Sequence, residues 1–263
     1  MGDCGRAWWV ARAGRAQPWR AGLAAIILGA PTLAPVGWRA GLTVDDTSAP
    51  GEGSPFEPHH FQREDERDDR LFYVQPRLVV HIDEGALAAV GRAFEGCLPQ
   101  DGELLDLMSS WRSHLPPGFR KRRLVGLGLN AVELQENPQL DDRVVHDLNR
   151  DPRLPFPDAV FDGAMLTVSV QYLVQPLAVF QEVRRVLRPG GPFLVTFSNR
   201  MFPTKAVQVW RMFKDAERAM LVQAYFRLAG GWSDIRAEDR SPPQGDPLYL
   251  VWARKGAEQR GTL

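Results

Sequence analysis

The chain has 263 residues, 44% of them hydrophobic and 24% charged, an ordinary globular composition with room for one sizeable domain and an extension. Its 32 basic and 32 acidic residues leave no net charge, so the totals give no electrostatic reason to expect nucleic acid or an anionic membrane as partner. Cys4 and Cys97 make neither a disulfide framework nor a metal pattern, and His59-His60, without other ligands nearby, reads as a solvated pair. No metal is expected, and a core held by packing alone suits a reducing compartment such as the cytoplasm.

In chain order, residues 1–44 carry five arginines (Arg6, Arg12, Arg15, Arg20, Arg39) against the single acid Asp3, with the apolar run AGLAAIILGA at 21–30. That run is too short to span a bilayer, and Pro31 and Pro35 interrupt its continuation. The composition fits an organellar transit peptide, a secretory signal or a dispensable leader. Residues 45–70 are polar and charge-dense, as a linker or exposed lead-in is. The expected division is a disordered or targeting extension over 1–54, a domain over 55–256 densely packed from near Phe72, and a disordered tail over 257–263.

Residues 76–98 have apolar positions at helical spacing (Leu87, Val90, Phe94), with Gly96 near the end. Strands are predicted at 103–107, 123–129, 144–148, 161–170, 192–199 and 248–254. A short helix fills 131–138, the helix PLAVFQEVRRVLRPGG fills 176–191, and 205–231 is a long helical stretch, in one piece or two, stopped by Gly230-Gly231. Strands alternating with helices imply an α/β fold: a Rossmann-like, doubly wound sheet, mostly parallel with a C-terminal antiparallel strand. Ligands on such sheets bind beyond the carboxyl ends of the strands, so the residues just after each strand are the candidates.

Those ends carry Asp106 and LMSSW after the first strand, GLGLN after the second, Asp147-Leu148-Asn149 after the third, and Ser169-Val170-Gln171-Tyr172 after the fourth. With LLDL (104–107), VVHDLNRDPRLPFPDAVFD (144–162) and FQEVRRVLRPGG (180–191), residues 70–255 resemble the class I S-adenosylmethionine-dependent methyltransferases of the type 11 group. FYVQPRLVVHID, DLMSSWRSHLP and FSNRMFPTKAV are similar to a bacterial and plant subgroup with an altered first loop. The resemblance implies S-adenosylmethionine as cofactor and direct methyl transfer to a small-molecule acceptor. It places the methionyl part at Asp106, Met108, Ser109 and Ser110, the ribose near Gly128 and Asn130, and the adenine at Asp147 and Leu148, with Ser169 beside the cofactor. Trp111, His114, Gln171 and Tyr172 would face the acceptor.

Two departures stand out. The positions of the first loop's glycines fall on Met108, Ser110 and Arg112, and the ribose-binding acid falls on Gly128, for which Asn130 or Glu133 would substitute. Glycine is needed where a pyrophosphate is cradled by N–H groups at a helix start, but S-adenosylmethionine has no phosphate, and serines can hydrogen-bond its amino acid end. The competing reading of Ser109-Ser110 is a tight turn capping a following helix. Arg77 and His81, read as one helical face, either meet the cofactor carboxylate or form a surface ion pair with Asp83 or Glu84. A catalytically inactive S-adenosylmethionine-binding protein on the same fold is the alternative function. A nicotinamide-dependent oxidoreductase fits poorly, because MSSWRS stands where GxGxxG is required.

Overall fold

The computed structural model of the protein describes residues 55–257. The extension expected over 1–54, with any targeting role, and the last six residues of the expected tail lie outside the described residues.

One sheet contains β1 (Gly102–Leu107), β2 (Lys121–Gly128), β3 (Asp142–Val145), β4 (Gly163–Thr167), β5 (Pro192–Phe197), β6 (Trp232–Asp239) and β7 (Tyr249–Lys255). Their order is β3-β2-β1-β4-β5-β7-β6. The first five strands are parallel neighbours, whereas β7 runs antiparallel to both β5 and β6. The chain winds outward from β1 to β3 and then returns to β4 on the other side of β1. This reversal leaves a crevice beyond the carboxyl ends of β1 and β4, where this kind of sheet binds ligands. It is the Rossmann-like sheet that the alternating pattern predicts, with an antiparallel pair at its end.

The central strands read GELLDL, GAMLT and PFLVTF and are buried almost throughout, because helices cover both faces. Successive side chains point to opposite faces, so Leu104 and Leu105 enter different layers of the core. On one face, α2 (Glu84–Cys97) packs Ala86, Val90 and Phe94 beside Leu104, Leu124 and Met165. On the other, α4 (Pro176–Val186) and α6 (Asp215–Ala229) bring Phe180, Val183, Tyr225 and Phe226 to Leu105 and Phe193. Phe180 meets Phe193, Tyr225 and Phe226 with ring centroids 4.7–5.8 Å apart, at edge-on angles that favour aromatic pairs.

Several expectations need correction. WSDIRAED forms β6, an edge strand half-exposed on both faces, so it carries no period-2 signal to read. The predicted helix over 76–98 starts only at Glu84, where Asp83 caps it by accepting from Ala86 N at 2.9 Å. Residues 76–83 instead find tertiary partners: Glu133 accepts from Arg77 N at 2.8 Å, and Trp111 Nε1 donates to the Val79 carbonyl at 2.9 Å. Dense packing begins well before Phe72. The rings of Phe56 and Phe61 lie 5.7 and 6.3 Å from that of Tyr225, and His60 is buried with Nδ1 accepting from Glu57 N, so His59-His60 is not a solvated pair. A short helix, α1 (Asp69–Phe72), follows, and the long helical stretch near the C-terminus divides into α5 (Gln208–Met212) and α6.

The connection from β1 to β2, residues 108–120, contains no helix. Its backbone is satisfied from neighbouring elements instead: Ser109 N donates to Leu127 O at 2.9 Å, Asn137 Nδ2 to Ser110 O at 2.8 Å, and Gln139 Nε2 to Leu115 O at 2.9 Å. Ser109 and Ser110 therefore cap nothing, and that reading of the loop is overturned.

Candidate functional site

A cavity opens beyond the carboxyl ends of β1, β2 and β4, under a strap formed by residues 69–82. Asp106, Met108, Ser109, Ser110, Gly128, Asn130, Asp147, Leu148 and Ser169 all border it, as do Trp111, His114 and Tyr172. Gln171 does not. It is wholly buried and donates to the Val168 carbonyl at 2.9 Å, which fixes the turn after β4.

Asp106 ends β1 and is enclosed by the core. Burial pushes its carboxyl up to about 7, although the hydroxyls of Ser109 and Ser113 favour the charged form. Ser109 Oγ donates to Asp106 Oδ2 at 2.6 Å, and Asn137 Nδ2 donates to Ser113 Oγ at 3.0 Å. Met108 follows with φ 50°, and His114 with φ 59°, both in the left-handed region that favours glycine. The loop has therefore kept a glycine-like backbone at Met108 without the glycine, at a cost of about 1–2 kcal/mol.

Gly128 has a steric explanation. A Cβ there would lie 2.2 Å from the Ser109 carbonyl oxygen, so the descending first loop occupies the place of any side chain. The two expected substitutes already have protein partners. Asn130 caps α3 (Ala131–Gln135) by accepting from Val132 N and Glu133 N, and its Nδ2 donates to Tyr73 O at 2.7 Å. Glu133 accepts from Arg77 N and from Ser110 Oγ, the latter at 2.6 Å.

Beyond β3, Asp147 Oδ1 accepts from Asn149 N at 3.0 Å and closes a tight turn, which presents the carboxylate and Leu148 to the cavity. Asn149 ties this turn down, its Nδ2 donating to Asp69 Oδ2 at 2.8 Å and to Tyr172 O at 2.9 Å. Asp69 in turn meets Arg63 at 2.8 Å and the fully buried Lys205 at 3.0 Å. On the β4 side, Ser169 Oγ donates to Thr167 O, and Tyr172 OH accepts from Phe202 N at 2.8 Å while its ring stacks on Phe202. Burial, with Arg112 and His81 nearby, pushes the His114 imidazole down to about 4, so it is neutral near pH 7.

Asp69, Tyr73 and Phe202 border the cavity without having been singled out in the sequence. Phe202 lies just beyond β5, where the strand-end rule applied to one more strand finds it. Of the strap, Arg77 and His81 were candidates in the sequence and do border the cavity, whereas Asp69 and Tyr73 follow no strand and carry no such signal.

Residues 120–195 match the family model described as a methyltransferase domain. Among curated proteins, the chain is 37% identical over 59 residues to the biotin biosynthesis bifunctional protein BioHC of Teredinibacter turnerae, covering 22% of this chain and 10% of that one. It is 41% identical over 56 residues to the demethylmenaquinone methyltransferase of Mycolicibacterium paratuberculosis, covering 20% and 24%. The chain thus spans a quarter or less of the length of these relatives. Among solved structures, a chain from the Haloferax volcanii complex between the Trm112 methyltransferase activator and a methyltransferase superposes with TM-score 0.53 at 16% identity, covering 67% of this chain and 92% of that one. The [4+2]-cyclase SpnF gives TM-score 0.50 at 16% identity, covering 72% and 92%.

The family match covers residues 120–195, and the sheet order together with the two superpositions gives the described chain the Rossmann-like fold of class I methyltransferases. Among the described residues, no helix is long and apolar enough to cross a membrane.

Proposed function

We propose that the protein is an S-adenosylmethionine-dependent methyltransferase that transfers a methyl group directly to a small-molecule acceptor in the cytoplasm. The supporting observation is that the enclosed Asp106, the Asp147-Leu148 turn and a first loop with no helix behind it share one cavity. Without a helix N-terminus the loop is a poor pyrophosphate cradle, which weighs against a dinucleotide. Carboxylates and serine hydroxyls suit a phosphate-free ligand with an amino group and a sulfonium.

In this reading, Asp147 and the Leu148 backbone take the adenine edge. Asp106, oriented by Ser109, holds the amino group. Met108, Ser110 and Ser169 flank the methionyl part, while Gly128 and Asn130 adjoin the ribose, which meets no acid from β2. Trp111, His114 and Tyr172 line the acceptor side, and the neutral His114 ring can accept a hydrogen bond from an acceptor hydroxyl or amine. Bound S-adenosylmethionine supplies an already activated methyl group. The protein's own contribution is to hold both reactants in line and to exclude water, and no general base is assigned.

Isothermal titration of the full chain with S-adenosylhomocysteine tests this reading, with saturable binding expected and a loss of about tenfold or more in Asp147→Ala. No saturation up to about 1 mM overturns it. Methyl-labelled cofactor incubated with a small-molecule extract then tests transfer. Binding without transfer would assign a non-catalytic role or another chemistry, and the cyclase relative is an instance of a different reaction on this fold.

A further inference from the structure

Arg77 borders the cavity with one buried guanidinium nitrogen left unpaired. Its guanidinium carbon sits 4.4 Å from the centre of the Phe72 ring, 5.4 Å from that of Tyr73 and 5.1 Å from that of Phe202, inside a box of three aromatic side chains. One nitrogen, Nη2, donates to the Phe72 carbonyl at 3.0 Å. The other, Nη1, is buried and has no hydrogen-bond partner among the described residues. The backbone is fixed as well, through Arg77 N and Glu133 Oε1 at 2.8 Å. The surface ion pair that the sequence allowed does not form with Asp83, whose carboxylate instead accepts from Ala86 N and Asp246 N.

Aromatic faces stabilise a cation but do not neutralise it, and a buried donor left unpaired costs about 1–3 kcal/mol. The His81 ring borders the same cavity and is pushed down by burial and by Arg77, against a smaller opposing effect of Glu133, whose carboxylate is already engaged by Arg77 N and Ser110 Oγ and not by the guanidinium. A planar fork held rigidly beside a cavity, with one arm already used and one free, matches a carboxylate.

We propose that Arg77 is a carboxylate-binding residue of this cavity. The inference rests on the cavity being the cofactor and acceptor site, and the carboxylate comes either from the amino acid end of the cofactor or from an acidic acceptor. In either case the anion completes the hydrogen bonding of Nη1 and the aromatic box excludes competing water.

The test titrates the wild type, Arg77→Met and Arg77→Lys with two nucleosides: S-adenosylhomocysteine, and methylthioadenosine, which lacks the amino acid end. Phenylacetate is then titrated with and without saturating S-adenosylhomocysteine. If the cofactor is the source, Arg77→Met weakens S-adenosylhomocysteine about 10- to 100-fold and leaves methylthioadenosine unchanged, with partial recovery in Arg77→Lys. If the acceptor is the source, both nucleosides bind the variants normally, and phenylacetate binds the wild-type complex but not that of Arg77→Met. Equal weakening of both nucleosides, or no change in any titration, overturns the proposal. Arg77→Lys keeps the stem and the charge, so the comparison survives if Arg77→Met does not fold. Failure of the wild type to bind either nucleoside overturns the cofactor reading, and the phenylacetate titration without nucleoside then decides separately on Arg77.

Discussion

Asp106 and His114 border the same cavity and respond to pH in opposite directions. The Asp106 carboxyl titrates near 7 in the folded chain, against an ordinary value of 3.8. Between about pH 4 and 7 the unfolded chain has released this proton and the folded chain still holds it, so stability falls as pH rises, by up to about 4 kcal/mol. The His114 imidazole titrates near 4 instead of 6.5. Over that window only the unfolded chain binds its proton, so this contribution rises with pH, by up to about 3 kcal/mol. The two nearly cancel, and single variants should expose them. In urea unfolding, Asp106→Asn should be most destabilised relative to wild type near pH 4 and lose that deficit toward pH 7; a pH-independent difference would contradict a buried neutral acid. Gly128→Asp, which puts the expected ribose acid in its family position, should cost about 3 kcal/mol or more, because its Cβ collides with the Ser109 carbonyl. Met108→Gly should be tolerated, while Met108→Val, β-branched at positive φ, should lose about 1–2 kcal/mol in the same assay. The acids at the ends of β1 and β3 were legible as residues following apolar runs. The reason for Gly128 was not, since it depends on how closely a loop distant in sequence approaches.

Two elements shape the site without belonging to the sheet. The first is the crossover over residues 108–120, which depends on Asn137 and Gln139 for the hydrogen bonding a helix would otherwise provide. Asn137→Ala leaves Ser110 O without that partner and should cost about 2 kcal/mol, with faster amide exchange measured over residues 109–115. The second is the strap, which Lys205 and Arg63 anchor through Asp69. Asp69→Leu leaves the buried Arg63 and Lys205 with only their weaker ion pairs to Glu66 and Asp65 and should cost about 3 kcal/mol in denaturant melts. It should also weaken S-adenosylhomocysteine, because Asn149 loses a partner that holds the Asp147-Leu148 turn proposed to take the adenine. Neither element could be read from periodicity. The strap has the apolar spacing of a helix, yet its backbone partners, Glu133 and Trp111, come from other parts of the chain and override that preference.

For the molecule as a whole, the sheet was the most legible feature, because β1, β4 and β5 are apolar on both faces and the turns between elements carry Gly and Pro. The edge strand β6 was hidden by the same logic, because Trp232 and Ile235 fall on opposite faces among polar neighbours and leave no alternation. The packing ahead of Phe72 predicts a truncation result, read as melting temperature and S-adenosylhomocysteine affinity against a chain beginning at residue 55. One beginning at residue 73 should lose both, since it lacks Phe56, Phe61, Arg63 and Asp69. The Lys205 anchor also sets a timetable. Lys205 Nζ bonds the carbonyl of Arg67 across 138 residues, and protein synthesis at 5–20 residues per second separates the two by roughly 7 to 28 s. During that interval the nascent strap waits on the ribosome with no lysine to dock on, and with Asp69 and Ile82, buried in the folded chain, still uncovered. The pocket therefore cannot capture a ligand until most of the chain has been made, and a chaperone that shields the strap in the meantime should raise the yield of active protein.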